Sequence, residues 1–458
     1  MNSTAMPAGN TFSTEYLVVG GGISGLSAAC QLRDRDFVLC ELSAQLGGTS
    51  SSESYAGEVF SQGAHYDLAY PNYYGDETLD FLEELGIIRY ENLVDSWNFV
   101  DRQYLIDVQR EGQTLTSEGM REDILEPSQL RTEFLELLLP YLGEMRQPSR
   151  IIKEEFWTLD EISFLDFLER ALRLNSSFKQ GVDYQMRDDY GADAATVSAL
   201  AGIHYYTCRP YYTQSVELFS PPEGNAYFVN RMEATLPGGR IKTSHLVKSV
   251  QKSESGFEVL VVNIENSRID RYLAKNIIYA GGKHALKYVF PSDAHLFQDN
   301  IYAPWLVLNI VLKDDLQSDA FWQNELLGQD STYMGFVDSA SQFRATDARV
   351  FTAYYCFSPD QRPYLANIRR NAQEIARKTV GTINQFFDKD VVHLVEKVFF
   401  KVLGHAMPVP KPHYLFSDKN PHRSEPNLVY AGVDNSRLPL LFEALDSGIQ
   451  AVKELDGL

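Results

Sequence analysis

One βαβ unit near the amino terminus constrains this chain more than any other feature. Glu15-Tyr-Leu-Val-Val19 is a short, β-branched apolar run with the length of a buried parallel strand. It runs directly into Gly20-Gly-Gly22-Ile23-Ser24-Gly25, and then into the small and apolar residues Leu26 to Leu32, which suit a tightly packed helix. A second strand, Phe37 to Cys40, ends on Glu41, about twenty residues after the first glycine. Each position has a mechanical reason. Gly20 allows the tight turn, Gly22 lets a pyrophosphate approach the backbone, and Gly25 lets helix and strand pack closely. Ile23 and Ser24 open a helix whose free N–H groups and positive dipole end suit phosphate. Glu41 is placed to accept hydrogen bonds from a ribose 2′-hydroxyl, and its charge disfavours a 2′-phosphate. A bare GxGxxG is weak evidence, but strand, turn, helix and acid in this order point to dinucleotide binding. The alternative is a tight turn that binds nothing.

The remainder of the 458 residues is enough for two to four domains in all, at about 100–200 residues each. Asp76 to Leu85, stopping at Gly86, reads as a short helix. From Ser128 to Asn175 the pattern stays helical, with Phe164, Phe167, Leu168, Ala171 and Leu172 on one stripe. Short strands follow at Leu246 to Val250, Phe257 to Val262 and Asn276 to Tyr279, and another at Trp305 to Leu312. Gln361 to Phe387 returns to helix, and Asn427 to Gly432 is a strand into a turn ahead of a final helix through Phe442 to Leu455.

Lys and Arg number 41 against 62 Asp and Glu, a net charge of −21. So acidic a surface repels nucleic-acid phosphates and anionic lipid, while it serves solubility and admits cationic substrates. Cys30, Cys40, Cys208 and Cys356 form no CxxC pair, and the nine histidines show no HExxH spacing, so neither a disulfide scaffold nor a metal centre is expected. Met1 to Thr14 lacks the apolar core of a signal peptide, and no apolar run approaches the roughly 18 residues of a membrane span. A soluble cytoplasmic protein is the expectation.

Beyond Glu41 stand Gly47-Gly48-Thr49 and then Gly63-Ala64-His65-Tyr66. With these the sequence resembles the flavin-containing amine oxidoreductase and phytoene desaturase superfamily. The resemblance implies FAD, with the glycine pair around its adenine and pyrophosphate end and Gly63 to Tyr66 along the flavin ring. Thr49 departs from the arginine that the family usually carries after the glycine pair. His245-Leu-Val247 resembles the family strand whose backbone meets the adenine, and Asn276 to Gly282 resembles the next strand, with its small-residue exit at Ala280. Leu428 to Asp434 and Leu441 to Gly448 resemble the closing FAD segment. That likeness gives Asp434 a place at the ribityl chain and the backbone near Leu441 and Phe442 a place at the flavin pyrimidine. Arg187 to Gly191, Ser198 to Tyr206, Pro222 to Asn225, Ala303 to Asn309 and Gly404 to Pro408 look closest to a bacterial spermidine dehydrogenase-like group.

The implied fold class is α/β: a Rossmann-like FAD-binding domain of the glutathione-reductase and amine-oxidase type, interleaved with an α+β substrate domain. Residues 12–95, 205–290 and 400–458 would form the first, and 96–204 and 291–399 the second, with its helical insertion. The implied activity is hydride transfer from a small-molecule amine, polyamine-like in its nearest resemblance, to noncovalently held FAD. No cysteine lies near the C-terminus to attach the flavin. Oxygen or another acceptor takes the electrons, and the oligomeric state stays open. Carbon–carbon desaturation or isomerisation of an apolar substrate is a second possibility, and a flavin-binding protein without catalysis is a third.

An amine must be neutral when its neighbouring carbon loses a hydride, so a desolvating aromatic pocket helps. Tyr205, Tyr206, Tyr211, Tyr212 and Trp305 are the candidates for one. Amine oxidases of the superfamily commonly hold a lysine near flavin N5. Here either Asn309 or Lys313, on the strand from Trp305, falls at that place. His405 is the titratable candidate for proton transfer, with loop orientation as its alternative role, and His65 carries the same ambiguity.

Overall fold

The computed structural model describes residues 8–64, 67–68, 70–107, 112–116, 119–121, 124–208, 217–313, 321–328, 332–338, 349–387, 390–416 and 423–457. The chain forms two compact units: Met1–Ser51, Ala226–Asn300 and Ser417–Leu458 in the first, Ser52–Asn225 and Ile301–Phe416 in the second.

The first unit is built on an eight-stranded sheet. Strand β1 (Ala8–Val19) lies between β2 (Phe37–Cys40) and the long strand Arg268–Tyr279, parallel to both. Leu428–Tyr430 extends the parallel set on the far side of Tyr279, and Ile241–Lys242 extends it beyond β2. An antiparallel meander, Gly256–Asn263 and His245–Ser253, and the short strand Arg423–Glu425 beside Leu428–Tyr430 complete the eight. β1 begins earlier than its apolar run because Ala8 and Thr11 to Thr14 pair with Ile269 and Arg271 to Ala274, so a partner strand supplies what local sequence does not.

Helix α1 (Ile23–Gln31) is buried from Ile23 to Cys30 because it is covered on both sides, by the sheet and by the C-terminal helix Leu441–Asp456. Small residues make that possible. A Cβ on Gly448 would stand 2.2 Å from the Ser24 carbonyl oxygen, and the Ser27 hydroxyl donates to the Leu445 carbonyl at 2.7 Å. Val18, Leu26, Phe37 and Leu39 are fully buried, and Leu17 is buried in the cluster with Val247, Val259 and Leu286. Each such side chain stabilises the unit by about 1.5–3 kcal/mol.

The second unit holds a seven-stranded sheet in the order Gly119–Arg121, Gly112–Thr116, Gln323–Leu326, Tyr333–Asp338, Arg349–Cys356, Tyr302–Leu312, Val395–Pro408. Tyr302–Leu312 is buried along its whole length. Its even-numbered residues Leu306, Leu308, Ile310 and Leu312 pack with Leu365, Ile368, Val380 and Ile383 from the helical segment beneath. On the opposite face, Val311 packs with Phe60 and Val350.

Several expectations shift. The helical stretch from Ser128 breaks into helices Ser128–Leu138 and Phe164–Ala171 joined by short 3-10 turns, and Phe164 and Leu168 are the buried members of its stripe. Gln361 to Phe387 is two helices, Arg362–Ala366 and Ala372–Ile383, separated where Asn367 and Asn371 leave helical geometry. Asparagine competes with the helix through its own backbone hydrogen bonds. The compact units also divide elsewhere than at the expected domain boundaries of 95, 204, 290 and 399. Ser61 is tied to Asn309, Asp67–Leu68 pairs with Leu218 and Phe219, and Val395–Pro408 pairs with Tyr302–Leu312. These contacts put residues 52–95 and 400–416 in the second unit.

Candidate active site

In the first unit, four adjacent parallel strands end level with one another. Val19 is in register with Cys40 and Tyr279, and Tyr279 with Tyr430. The residues that follow these ends are Gly20, Glu41, Ala280 and the Ala431–Asp434 turn, all singled out from the sequence. Open α/β sheets bind ligands in a crevice at this edge.

The three glycines of the turn behave as their mechanics require. Gly20 has φ +102°, and a Cβ there would meet the Ala280 backbone at 3.0 Å. At Gly25 a Cβ would fall 1.9 Å from the Gly20 carbonyl oxygen. At Gly22, by contrast, the nearest atom to a Cβ is the Gly47 carbonyl oxygen at 4.0 Å, which is open space. Gly47 and Gly48 face that space, with Gly47 N–H donating to the Gly21 carbonyl at 2.8 Å and Gly48 adopting φ +59°. Gly22 is the N-cap of α1 and offers no side chain, and the first turn carries no acid. The backbone at this helix start is therefore approachable and suits an anion.

Glu41 is buried and oriented by two backbone donors, Gly21 N–H at 2.6 Å and Ser43 N–H at 2.7 Å, one to each carboxylate oxygen. Each oxygen keeps a further lone pair. Thr49 is exposed in the turn Gly48–Ser50. Val247 is buried in the same sheet, at a register irregularity of the strand His245–Ser253. Asp434 pairs with Lys283, and Gly432 N–H donates to the Ser447 hydroxyl at 2.8 Å, tying the turn to the C-terminal helix that begins at Leu441 and Phe442. That helix start has no side-chain cap; Glu443 in its first turn, with Asp446, is held by the buried Arg437. The open space at Gly22, the uncapped helix and the oriented acid fit a dinucleotide.

In the second unit, Asn309 is buried with both ends of its amide engaged. Its Nδ2 donates to the Ser61 carbonyl at 3.0 Å, and its Oδ1 accepts from the Thr352 hydroxyl at 2.7 Å. It thereby braces the loop carrying Gly63 and Ala64. The Ser61 hydroxyl donates to the Ala64 carbonyl at 2.9 Å, and Asn225 N–H donates to the same carbonyl at 3.0 Å. His65 and Tyr66, like Tyr211 and Tyr212, lie outside the described residues.

The three residues expected to share catalysis do not form one group. Lys313 is exposed beyond the strand end, its backbone N–H donating to Leu394. The His405 ring packs edge-on to Tyr302 at 5.4 Å. Tyr302 stands seven residues before Asn309 on the same strand, about 23 Å away, with a register irregularity between Ala303 and Trp305. The length of the strand therefore separates His405 from Asn309. Trp305 and Val307 share Asn309's face, and Trp305 stacks on Tyr354 at 6.0 Å with its indole N–H buried and without an acceptor. Tyr205 and Tyr206 are buried in an aromatic cluster with Tyr190, Phe134 and Phe164.

Two residues escaped the sequence. Lys401, cross-strand from Val307, donates through Nζ to Gln62 at 3.1 Å. Asp160 is buried and accepts from Leu415 N–H at 2.9 Å; burial pushes its carboxyl up to about 6, against the lowering effect of Ser198, the Leu415 and Phe416 N–H groups and His413. Only an alternation too irregular to notice marks Lys401, and nothing local marks Asp160. Among the described residues no cluster suits a metal ion, and no helix is long and apolar enough to cross a membrane.

In fold, the chain is similar to a putrescine oxidase variant at 15% identity and a TM-score of 0.68, covering 98% of this chain and 100% of that one. It is also similar to the cyclohexylamine oxidase of Brevibacterium oxydans IH-35A at 14% identity and a TM-score of 0.66, with 97% and 99% covered. A third likeness is to a protein described as a protoporphyrinogen oxidase, from Exiguobacterium sp. 255-15, at 14% identity and a TM-score of 0.65, with 98% and 100% covered. No curated protein matches the sequence. At these identities the solved structures speak to the fold, a Rossmann-like dinucleotide domain with a second, α+β domain. The sequence itself matches the family described as flavin containing amine oxidoreductase over residues 23–437. The chain belongs to that family and is an FAD-dependent oxidoreductase.

Proposed function

We propose that the protein oxidises a small-molecule amine, with FAD bound noncovalently in the cradle of the first unit. The observation that carries the reading is the level edge of four parallel strands, where the Gly20 to Gly25 turn, Glu41, Ala280 and Asp434 converge. When bound, FAD supplies the electron sink, accepting a hydride from a carbon beside nitrogen. The N–H groups at Ile23, Ser24 and Gly25 hold the pyrophosphate, with the Gly47 to Thr49 turn beside it, and Glu41 accepts from the adenosine ribose. Val247 meets the adenine through its backbone, Asp434 the ribityl chain, and the backbone at Leu441 and Phe442 the pyrimidine edge. In the second unit, Asn309 braces the loop that carries Gly63 and Ala64.

Burial supports the noncovalent reading. It pushes the thiols of Cys30, Cys40 and Cys356 up, the first to about 11 and the others to about 12, so they stay protonated and poorly nucleophilic. For the substrate, the stacked Trp305 and Tyr354 offer aromatic faces and an unpaired indole donor. Such faces attract an ammonium, and their desolvation favours the neutral amine that must react. The family and the two amine-oxidase neighbours support an amine; the polyamine-like resemblance makes a diamine the first one to try. No lysine lies on the strand Tyr302–Leu312, while Lys401 of the adjacent strand reaches Gln62, so the rate of flavin reoxidation by oxygen decides the acceptor.

The test is anaerobic mixing of the holoenzyme with monoamines, diamines, amino acids and polyenes. Loss of the visible flavin band with an amine supports the reading, and the rate of its return on admitting oxygen reports the acceptor. Bleaching by a polyene alone would favour the desaturase alternative.

A further inference from the structure

A lysine that reads as ordinary in the sequence Ala280-Gly-Gly-Lys283-His is among the most enclosed charges of the first unit. Its side chain has no exposed surface, and all three Nζ donors are engaged: Asp434 Oδ1 at 2.9 Å, the Ala431 carbonyl at 2.6 Å and the Gly281 carbonyl at 3.4 Å. Its backbone N–H also donates to Asp434 Oδ2 at 2.7 Å, so one residue holds both oxygens of that carboxylate. The Tyr279 and Phe297 rings lie 5.8 and 5.9 Å from Nζ. A Cβ on Gly432 would stand 3.0 Å from Nζ, which leaves no room for anything but glycine where the two strand ends meet.

Two carboxylates belong to the cradle around this lysine. Glu41 and Asp434 both stand at the strand ends, and the turn after Gly47-Gly48 has Thr49 rather than a cation. A dinucleotide brings two more negative charges in its diphosphate. A buried carboxylate without a cation costs far more than a paired one, and it would repel that diphosphate.

We propose that Lys283 is a positioning residue for the cofactor. It fixes Asp434 at the edge of the parallel strands, offsets its charge, and clasps the Gly281-Gly282 exit to the Gly432–Asp434 turn so that both present their backbones to the dinucleotide. This rests on the reading that FAD occupies the first unit's cradle.

The experiment is a double-mutant cycle on the full-length holoenzyme, with Lys283→Met, Asp434→Asn and the pair together. FAD dissociation constants come from the fluorescence of flavin released on serial dilution, and the folded fraction is measured separately by circular dichroism. Lys283→Met should weaken FAD binding by the folded protein at least about tenfold. Asp434→Asn should weaken it less, by about threefold, and the double variant should return to the level of Asp434→Asn, because Met does no harm once the carboxylate is gone. A structural role alone would lower the folded fraction of Lys283→Met without changing the affinity of what remains folded. Wild-type affinity in folded Lys283→Met, or losses that multiply in the double variant, would overturn the proposal. Should Lys283→Met not fold, the comparison of Asp434→Asn with the double variant decides: no further loss supports the proposal, and a further tenfold loss overturns it. Gly22→Ala serves as the separate check on the cradle. If it leaves FAD affinity untouched, the cofactor reading fails, whatever Lys283 does.

Discussion

Gly22 and Gly25 lie in the same turn, yet the structure makes opposite predictions for an added methyl group. At Gly25 the new Cβ would sit 1.9 Å from the Gly20 carbonyl oxygen and 3.4 Å from the Ala280 Cβ. Relief requires helix α1 to retreat by more than about 1 Å from the strand ends, against the C-terminal helix packed on its other side. Overpacking of this kind costs about 3 kcal/mol, so Gly25→Ala should lower the stability of the flavin-stripped protein by that amount. At Gly22 the nearest atom is 4.0 Å away and φ is −76°, a value any residue adopts. Gly22→Ala should change the stability of the flavin-stripped protein by less than about 1 kcal/mol, the methyl's smaller chain entropy opposing a poorer N-cap. Its Cβ would nonetheless occupy the space through which a pyrophosphate reaches the α1 N–H groups. FAD affinity should fall at least tenfold, or about 1.4 kcal/mol. Urea denaturation of flavin-stripped protein and FAD titration of each variant give both numbers. If Gly22→Ala binds FAD as the wild type does, or if Gly25→Ala is as stable as the wild type, the steric account of the turn is refuted.

Three further outcomes follow from single residues. Asp160 has its carboxyl raised from 3.8 to about 6, so the native state binds more protons than the unfolded chain between those values. Its contribution of about 3 kcal/mol is fully present below about pH 4 and lost as pH rises through 6; Asp160→Asn should flatten that fall, and an unchanged denaturation profile would contradict it. Asn309→Leu should cost about 3 kcal/mol in a denaturant melt, since it leaves the Ser61 carbonyl and Thr352 hydroxyl buried without partners; a loss under 1 kcal/mol would remove its bracing role. His405→Gln should leave the rate of flavin reduction within about twofold, because the ring packs on Tyr302, seven residues along the strand from Asn309; a loss of 10² would restore it as a proton-transfer group.

What could be read from the sequence tracks how local its physical cause is. The Gly20 to Gly25 turn and Glu41 were legible because a tight turn, a close approach and an acid at a strand end each demand a residue type at a fixed offset. Asp434 was legible as an acid but not as one half of a buried pair, because Lys283 lies some 150 residues earlier and looks like any surface lysine. Asn309 could be placed on its strand, yet its brace to Ser61 spans 248 positions, and only the folded sheet reveals that its amide is taken. The same long-range pairing hid how far along the sheet it stands from His405. Residues 52–95 carry no local sign of which unit claims them; that depends on pairing with Leu218, Phe219 and Asn309.

The central claim is that an amine is the hydride donor, and anaerobic titration of the purified holoenzyme tests it most directly. The visible flavin absorbance should be lost stoichiometrically with at least one amine, a diamine before the others, and should stay intact with polyenes of similar size. Intact absorbance with every amine, beside full reduction by dithionite, would contradict the account.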